Sequence, residues 1–529
     1  MTSKQLPERP DLDQLKKQAK NLLHAAQAGD QDALARFLLL PAFAGRSTDQ
    51  IAAADVALHD AQSVIAREHG FPSWNQLREH VEERTLTFAA AADEFVRCAT
   101  GDAPDRARRL LALHPGIAHA SLHAELVLGD AAAVDARLRE RPDLATQPGG
   151  VHGWVPLLYV CHTCLHRGDP QRAAGPIGIG LVAIARRLLE LGADPDAEYV
   201  WKWHPELPRT ALWGACCAMD HLPLAEALLH GGADPTDGVT MHIAAGSAML
   251  PVLELLHRHR ALANGRRGGL PPLVYILGWC RDAAGPRWLL EHGADPDLPW
   301  PQTGEAPVHV AARRCDVAMM ELLAAHGADL LRPRADGRTP HTLAELHGNR
   351  AVAQWLLAHG AVDELTDLER FAAACAAGDR ARADGLLQRQ PELRAQLRGE
   401  HHLMLLRAAE TGDVAALETM LACGFDPATR DRDGVTALHQ AARNGHPAAV
   451  RVLLASGAPV DALDGMFAGT PLVWTVDGWQ HGRSSGHVDV ARLLIAAGSP
   501  LDWHPDAATP GPERVLDGLV DLRRAAAAT

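Results

Sequence analysis

The stretch Cys161-His162-Thr163-Cys164-Leu165-His166 sets two thiols and two imidazoles within six residues, the ligand types that zinc takes. A closed tetrahedral set needs a further pair of ligands at matching spacing, and the chain has no second Cys-x-x-Cys. Aligned with Thr436-Ala437-Leu438-His439-Gln440-Ala441-Ala442, Cys161 falls where Ala442 stands, and Cys216 takes the same slot one unit later. Both then read as small buried side chains, and no metal is expected. Gly178-Ile179-Gly180-Leu181-Val182-Ala183 spells a dinucleotide fingerprint. It follows a Gly-Pro loop rather than a strand, so the βαβ setting that chemistry requires is missing. The sequence has no His-Glu-x-x-His, no phosphate-binding loop and no spacing that would assemble a Ser/His/Asp or Cys/His set. No catalytic residue and no cofactor are expected, and the balance leans away from an enzyme.

Histidine is abundant, 29 in all, and most of it obeys a register. His123, His242, His309 and His439 recur at one place in a Thr-x-x-His-like start. His257, His292, His326 and His359 stand at the ends of following helices, where a donor suits exposed carbonyls. His162, His204 and His481 fall outside both groups, in or beside insertions.

The elements that carry these residues are short. Thr436–Asp461 reads as a polar helix start, a helix with Ala441 and Ala442 on one face, a break at Asn444-Gly445-His446, and a second apolar helix stopped at Gly457. Neither helix can hold a core alone, so the unit must bury its apolar face against copies of itself. The copies are present, because Gly-Ala-Asp-Pro-like ends recur at Gly192, Gly232, Gly293, Gly327, Gly360, Gly424, Gly457 and Gly498. Several of these gaps are 33 or 34 residues.

These motifs resemble the ankyrin repeat, and Thr436–Ala442 matches that family's helix-start motif. Leu58–Trp74 is similar to a segment that precedes the repeats in many bacterial ankyrin repeat proteins. The resemblance implies an all-α solenoid of helix-turn-helix units with short hairpin loops, about twelve units in all. A helical cap region is expected over 1–87 and the solenoid over 88–503, with a tail over 504–529. Insertions at 164–179, 198–208 and 479–485 break the period and are expected on the rims of a concave groove. The implied function is non-catalytic: a scaffold that binds another protein or peptide through that groove. The alternative is a small-molecule sensor or enzyme whose pocket the insertions roof near His162, Trp201, Trp203 and His204.

Composition narrows the partner. A formal net charge of −14 argues against a nucleic-acid partner, which needs basic surface to neutralise phosphates. No apolar run approaches the roughly 20 residues that span a bilayer, and the first twenty residues lack the apolar core of a signal peptide. A cytoplasmic protein is expected, with export as an effector left open. Arginine outnumbers lysine, 46 to five, a bias that suggests a bacterium of high genomic GC. Aromatic residues are only 4% of the chain, which makes each tryptophan informative. Trp201, Trp203, Trp300 and Trp479 fall in polar loops and are expected at the surface, whereas Trp213, Trp279 and Trp474 are expected to fill core gaps. Trp and Arg dominate binding hot spots. The candidate contact residues are therefore Trp201, Trp203, His204, Trp300, Arg313, Arg314, Arg443, Trp479 and His481.

Overall fold

The computed structural model describes the chain except residues 1–3, 8–9, 41–42, 44, 55, 102, 166–174, 201–207, 267–268, 281, 466–467, 483 and 500–529. Two compact units emerge. One draws on the N-terminal 91 residues and the stretch from Arg432 onward, the other on Ala92–Leu111 and Pro115–Asp431.

The N-terminal region builds a core of its own. Asp11 caps the helix Leu12–Gln27 by accepting the backbone N–H groups of Asp13 and Gln14, which satisfies donors that have no partner inside the helix. Leu15, Ala19 and Leu22 pack with Phe37, Ile51, Val64, Ile65, Leu77 and Val81 in one buried cluster. Glu68 ties this region together. Its carboxylate takes Arg36 through Nε at 2.6 Å and Nη2 at 2.9 Å, and Lys4 through Nζ at 2.6 Å. Burial alone would raise its pKa, but the bonds to Arg36 and Lys4 outweigh burial and hold it below the usual carboxylate value.

From Phe88 to Ala496 the described helices include twelve consecutive pairs, with the short helices Leu393–Gln396 and Gly399–His402 standing between two of them. The pair Ala437–Arg443 and Pro447–Ala455 shows the plan. Ala441, Ala442, Ala449, Val450 and Leu453 are buried, so each helix is held by its neighbours rather than by its own length. Gly457 ends the second helix at φ +83°, a conformation that costs glycine little. The aspartates that follow such glycines turn the chain. Asp194 and Asp295 accept the N–H of Asp196 and Asp297, and Asp196 and Asp297 in turn accept the N–H of Asp234 and Asp329 in the next unit. Sheet structure is minimal: among the described residues, Glu198–Tyr199 pairs antiparallel with Arg209–Thr210, and isolated bridges join Gly149 to Trp154 and Trp300 to Glu305.

The three expected insertions resolve differently. In the first, helix Pro176–Glu190 already begins inside 164–179, and residues 166–174 lie outside the described residues. The second is the short β-pair just named, with 201–207 outside the described residues. The third is corrected: Trp479, Gln480, His481 and Gly482 do not form a turn but extend the helix that starts at Pro471. The segment Val476–Gly482 holds no proline, and Gly478 lies inside the helix at a close approach, where a Cβ would come within 1.7 Å of the Arg443 carbonyl oxygen, so the helix runs on until Ser484 takes the N-cap position of its successor. The expected tail, 504–529, lies outside the described residues.

Candidate functional site

The Cys/His stretch is structural in its contacts. Helix Pro156–Cys161 ends at His162, and the chain then runs back across earlier units. The Thr163 hydroxyl donates to the Val127 carbonyl at 3.1 Å, and the backbone N–H of Cys164 donates to the Ala99 carbonyl at 2.6 Å. Cys161 and Cys216 are fully buried, and burial pushes both thiols up, away from the reactive thiolate. Among the described residues no group of three His, Cys, Asp or Glu is placed to hold a metal ion. The Gly178/Gly180 pair serves packing, since a Cβ on Gly180 would lie 2.0 Å from the Gly129 carbonyl oxygen.

Three of the recurring histidines latch one unit to the next. His309 accepts the N–H of Ala306 at Nδ1 (2.9 Å) and donates from Nε2 to the Arg332 carbonyl (2.8 Å). His439 repeats this with Thr436 and Gly469 at 3.2 and 3.1 Å, and His242 donates to Leu270 at 2.7 Å. An aromatic ring one residue past the equivalent position of the next unit packs on three of these imidazoles. The pairs are His123 with Tyr159, His242 with Tyr275 and His439 with Trp474, with centroids 4.7, 5.4 and 5.3 Å apart. Sequence reading missed this pairing, although its signal, an aromatic residue at one fixed offset, was present.

His162 is walled in rather than poised for chemistry. It is only 5% exposed and donates from Nε2 to the Thr210 carbonyl at 3.1 Å. Trp154, Tyr199 and Trp213 surround its ring. Burial first, with the charges of Arg209 and His152, pushes its pKa down to about 3, so the ring is neutral near pH 7. The guanidinium of Arg209 lies 4.2 Å over Trp213, and a π-helical turn, Gly214–Ala218, follows. Trp201, Trp203 and His204, the other residues expected here, lie outside the described residues.

The remaining candidates are dispersed. Trp300 is half-buried in its turn, its N–H bonded to the Glu305 carbonyl at 2.9 Å. Arg443 reaches Asp477 at 3.0 Å and lies 5.7 Å over the Trp474 ring. Trp479, expected in an exposed loop, is half-buried on a helix, because the helix continues through it; the helix also carries His481. Trp474 is buried as expected, donating from Nε1 to Asp464 at 3.0 Å. Trp213 is half-buried. Trp279 is a correction: it is 43% exposed, because its ring lies over Gly246, where a Cβ would approach to 2.2 Å, and not between helices.

Arg313 and Arg314 are brought together with residues that sequence reading did not single out. They line a cavity of about 660 Å³ with His347 and Arg407. Arg314 and Arg407 share Glu410, at 3.5 and 2.9 Å, although Arg314 and Glu410 lie about three repeat periods apart in the chain. Arg313 pairs with Glu305, which also faces Arg334 at 3.6 Å. Burial, then the surrounding guanidinium groups, pushes His347 down to about 3.

Comparison with known proteins places these contacts in context. The family model described as ankyrin repeats (3 copies) matches residues 283–367 and 403–503. The bovine cyclin-dependent kinase 4 inhibitor B is 36% identical over 135 residues, 25% of this chain and 97% of the relative. Human cyclin-dependent kinase inhibitor 2A is 37% identical over 137 residues, 22% of this chain and 85% of the relative. Human SH3 and multiple ankyrin repeat domains protein 2 is 30% identical over 174 residues, 32% of this chain. This chain spans only 9% of that large relative's length, and 14% of mouse Rabankyrin-5. Among solved structures, the human ASB11 ankyrin repeat domain aligns with 46% of this chain and 99% of its own, at 23% identity and a TM-score of 0.34.

Proposed function

This chain belongs to the ankyrin repeat family, and we propose that it is a non-catalytic scaffold that binds another protein or peptide through the groove lined by its first helices and turns. The observation that carries the reading is the latch. The imidazoles of His309 and His439 spend both nitrogens on backbone, fixing one unit to the next and leaving the first-helix ends and turns free to vary. A surface so fixed loses little freedom on binding. The cow and human relatives are named as inhibitors of cyclin-dependent kinases, which supports a protein as the partner class here. We assign contacts to Trp300, Arg313, Arg314, Arg443, Trp479 and His481. On sequence grounds alone, Trp201, Trp203 and His204 join them. The enclosure of His162 weighs against the alternative of a ligand pocket beneath the insertions. Among the described residues no helix is long and apolar enough to cross a membrane. The arginine bias supports a bacterial protein, which we place in the cytoplasm, with an exported effector as the competing assignment.

Affinity capture from cells of the source organism, followed by mass spectrometry and titration of the recovered partner, tests the proposal. A Trp300→Ala, Arg443→Ala double variant should keep its helical circular dichroism and bind that partner at least tenfold more weakly, the scale of hot-spot truncations of ~2 kcal/mol. Equal affinity for the variant and the parent protein would refute it.

A further inference from the structure

Outside the latches, three arginines from different units gather around one cavity. The cavity of about 660 Å³ falls within the range of small-ligand sites, about 300–1,000 Å³. Three guanidinium groups reach its wall from different units: Arg313 and Arg314 at the end of helix Pro307–Arg314, and Arg407 on helix Met404–Thr411. Its acidic wall residues are already engaged. Asp316 caps one helix by accepting the Met319 N–H at 3.0 Å, and Asp413 caps another through Ala416 at 3.0 Å. Glu410 is divided between Arg407 and Arg314, and Glu305 between Arg313 and Arg334. Arg334 also holds Asp336. Arg313, Arg314, Arg407 and Arg334 share Glu305, Glu410 and Asp336 among them. The Nε of Arg313 is buried without a hydrogen-bond partner, a costly state for a cation's donor. Guanidinium forks match the planar or tetrahedral oxygens of carboxylate and phosphate.

We propose that this cavity is an oxyanion site in which Arg313, Arg314 and Arg407 together seat a carboxylate or phosphate group. The three converging guanidinium groups, the orphaned donor of Arg313 and the ligand-sized space belong to one cavity wall, and an oxyanion answers all three. His347, neutral where it stands, adds a donor and acceptor without adding charge. The inference goes beyond the scaffold reading, because a free small anion fits the site as well as an acidic side chain carried by a partner.

Calorimetric titration of the full chain at low salt tests it with two probes: inorganic phosphate, and an end-blocked peptide of glutamates. Saturable one-to-one binding of either probe is expected. It should weaken roughly tenfold or more in Arg314→Gln and in Arg407→Gln, the scale of one lost charge-assisted bond. Arg287→Gln, at an exposed helix position, should bind as the parent does. Phosphate binding would identify a free anion as the ligand, and binding of the peptide alone would identify a partner's acidic chain; both support the site. Arg314, 41% exposed in its side chain, can be changed with little risk to folding and decides the matter if Arg407→Gln does not fold. Absence of saturable binding for both probes, or equal weakening in Arg287→Gln, would overturn the proposal.

Discussion

The units around His439 and His162 solve the same joining problem by different means. At His439 one imidazole holds its own helix start through Nδ1 and the next unit through Nε2. In the unit of helix Pro156–Cys161 the equivalent position is Leu158, and in the next unit it is Trp213, so that latch is absent. The work is divided instead. The Tyr159 hydroxyl donates to the Gly149 carbonyl at 2.8 Å and accepts the His152 N–H at 3.0 Å, closing its own turn. His162, four residues past the usual place, donates across to Thr210. A repeat can thus exchange its joining residue provided that the backbone carbonyl of the following unit still receives a donor. The aromatic rings that pack around His162 are the consequence of moving that donor along the helix.

The comparison can be broken most severely through the core beneath it. Leu453→Ala in the regular region, at a fully buried position, should cost ~2–5 kcal/mol. Its effect should fray nearby units before it unfolds the array. Hydrogen exchange by residue would check this, and an unchanged protection pattern would count against the packing register. Gly180→Ala in the irregular region forces a Cβ to 2.0 Å from a backbone oxygen and should cost about 1–3 kcal/mol by overpacking, read as a lower denaturant midpoint.

Replacing the latches themselves gives a smaller effect that sharpens the contrast. His439→Ala and His162→Ala each leave a buried carbonyl without its donor, for about 1–3 kcal/mol. Comparable losses in the two variants would show that both histidines do the same job; a silent His162→Ala would show that the aromatic packing alone holds that joint.

Much of this was legible in the sequence. The period, the glycine stops, the helix pairs and the regular histidines follow from local chemistry repeated at fixed spacing. The extended helix through Trp479 was misjudged because added residues were assumed to lengthen turns, whereas Gly478 lies inside the helix at a close approach to the Arg443 carbonyl. Trp279 was misplaced because its surroundings depend on Gly246, a residue of the preceding unit. The arginine cavity could not be read at all. Arg313 and Arg314 stood out by position, but their meeting with Arg407 depends on units about three periods apart approaching one another, which nearest-neighbour spacing does not encode.

Acidification tests the joint at His162 separately. The folded-state pKa of His162, about 3, lies below the ordinary imidazole value of 6.5. The folded chain therefore binds fewer protons than the unfolded chain, and the contribution of the neutral ring is complete above pH 6.5. It is lost as the pH falls from 6.5 toward 3. Denaturant midpoints of the parent and His162→Gln should differ most near neutrality and converge on acidification. A gap that widened in acid would contradict the enclosed, neutral imidazole.

The central claim, that latched units hold a binding surface on their first helices and turns, is tested most directly by hydrogen exchange of the chain alone and with its captured partner. The account expects new amide protection at the Trp300–Glu305 turn, at the end of helix Pro307–Arg314 and around Arg443. Protection confined to second helices such as Val317–Ala325 and Pro447–Ala455, with none at those turns, would contradict it.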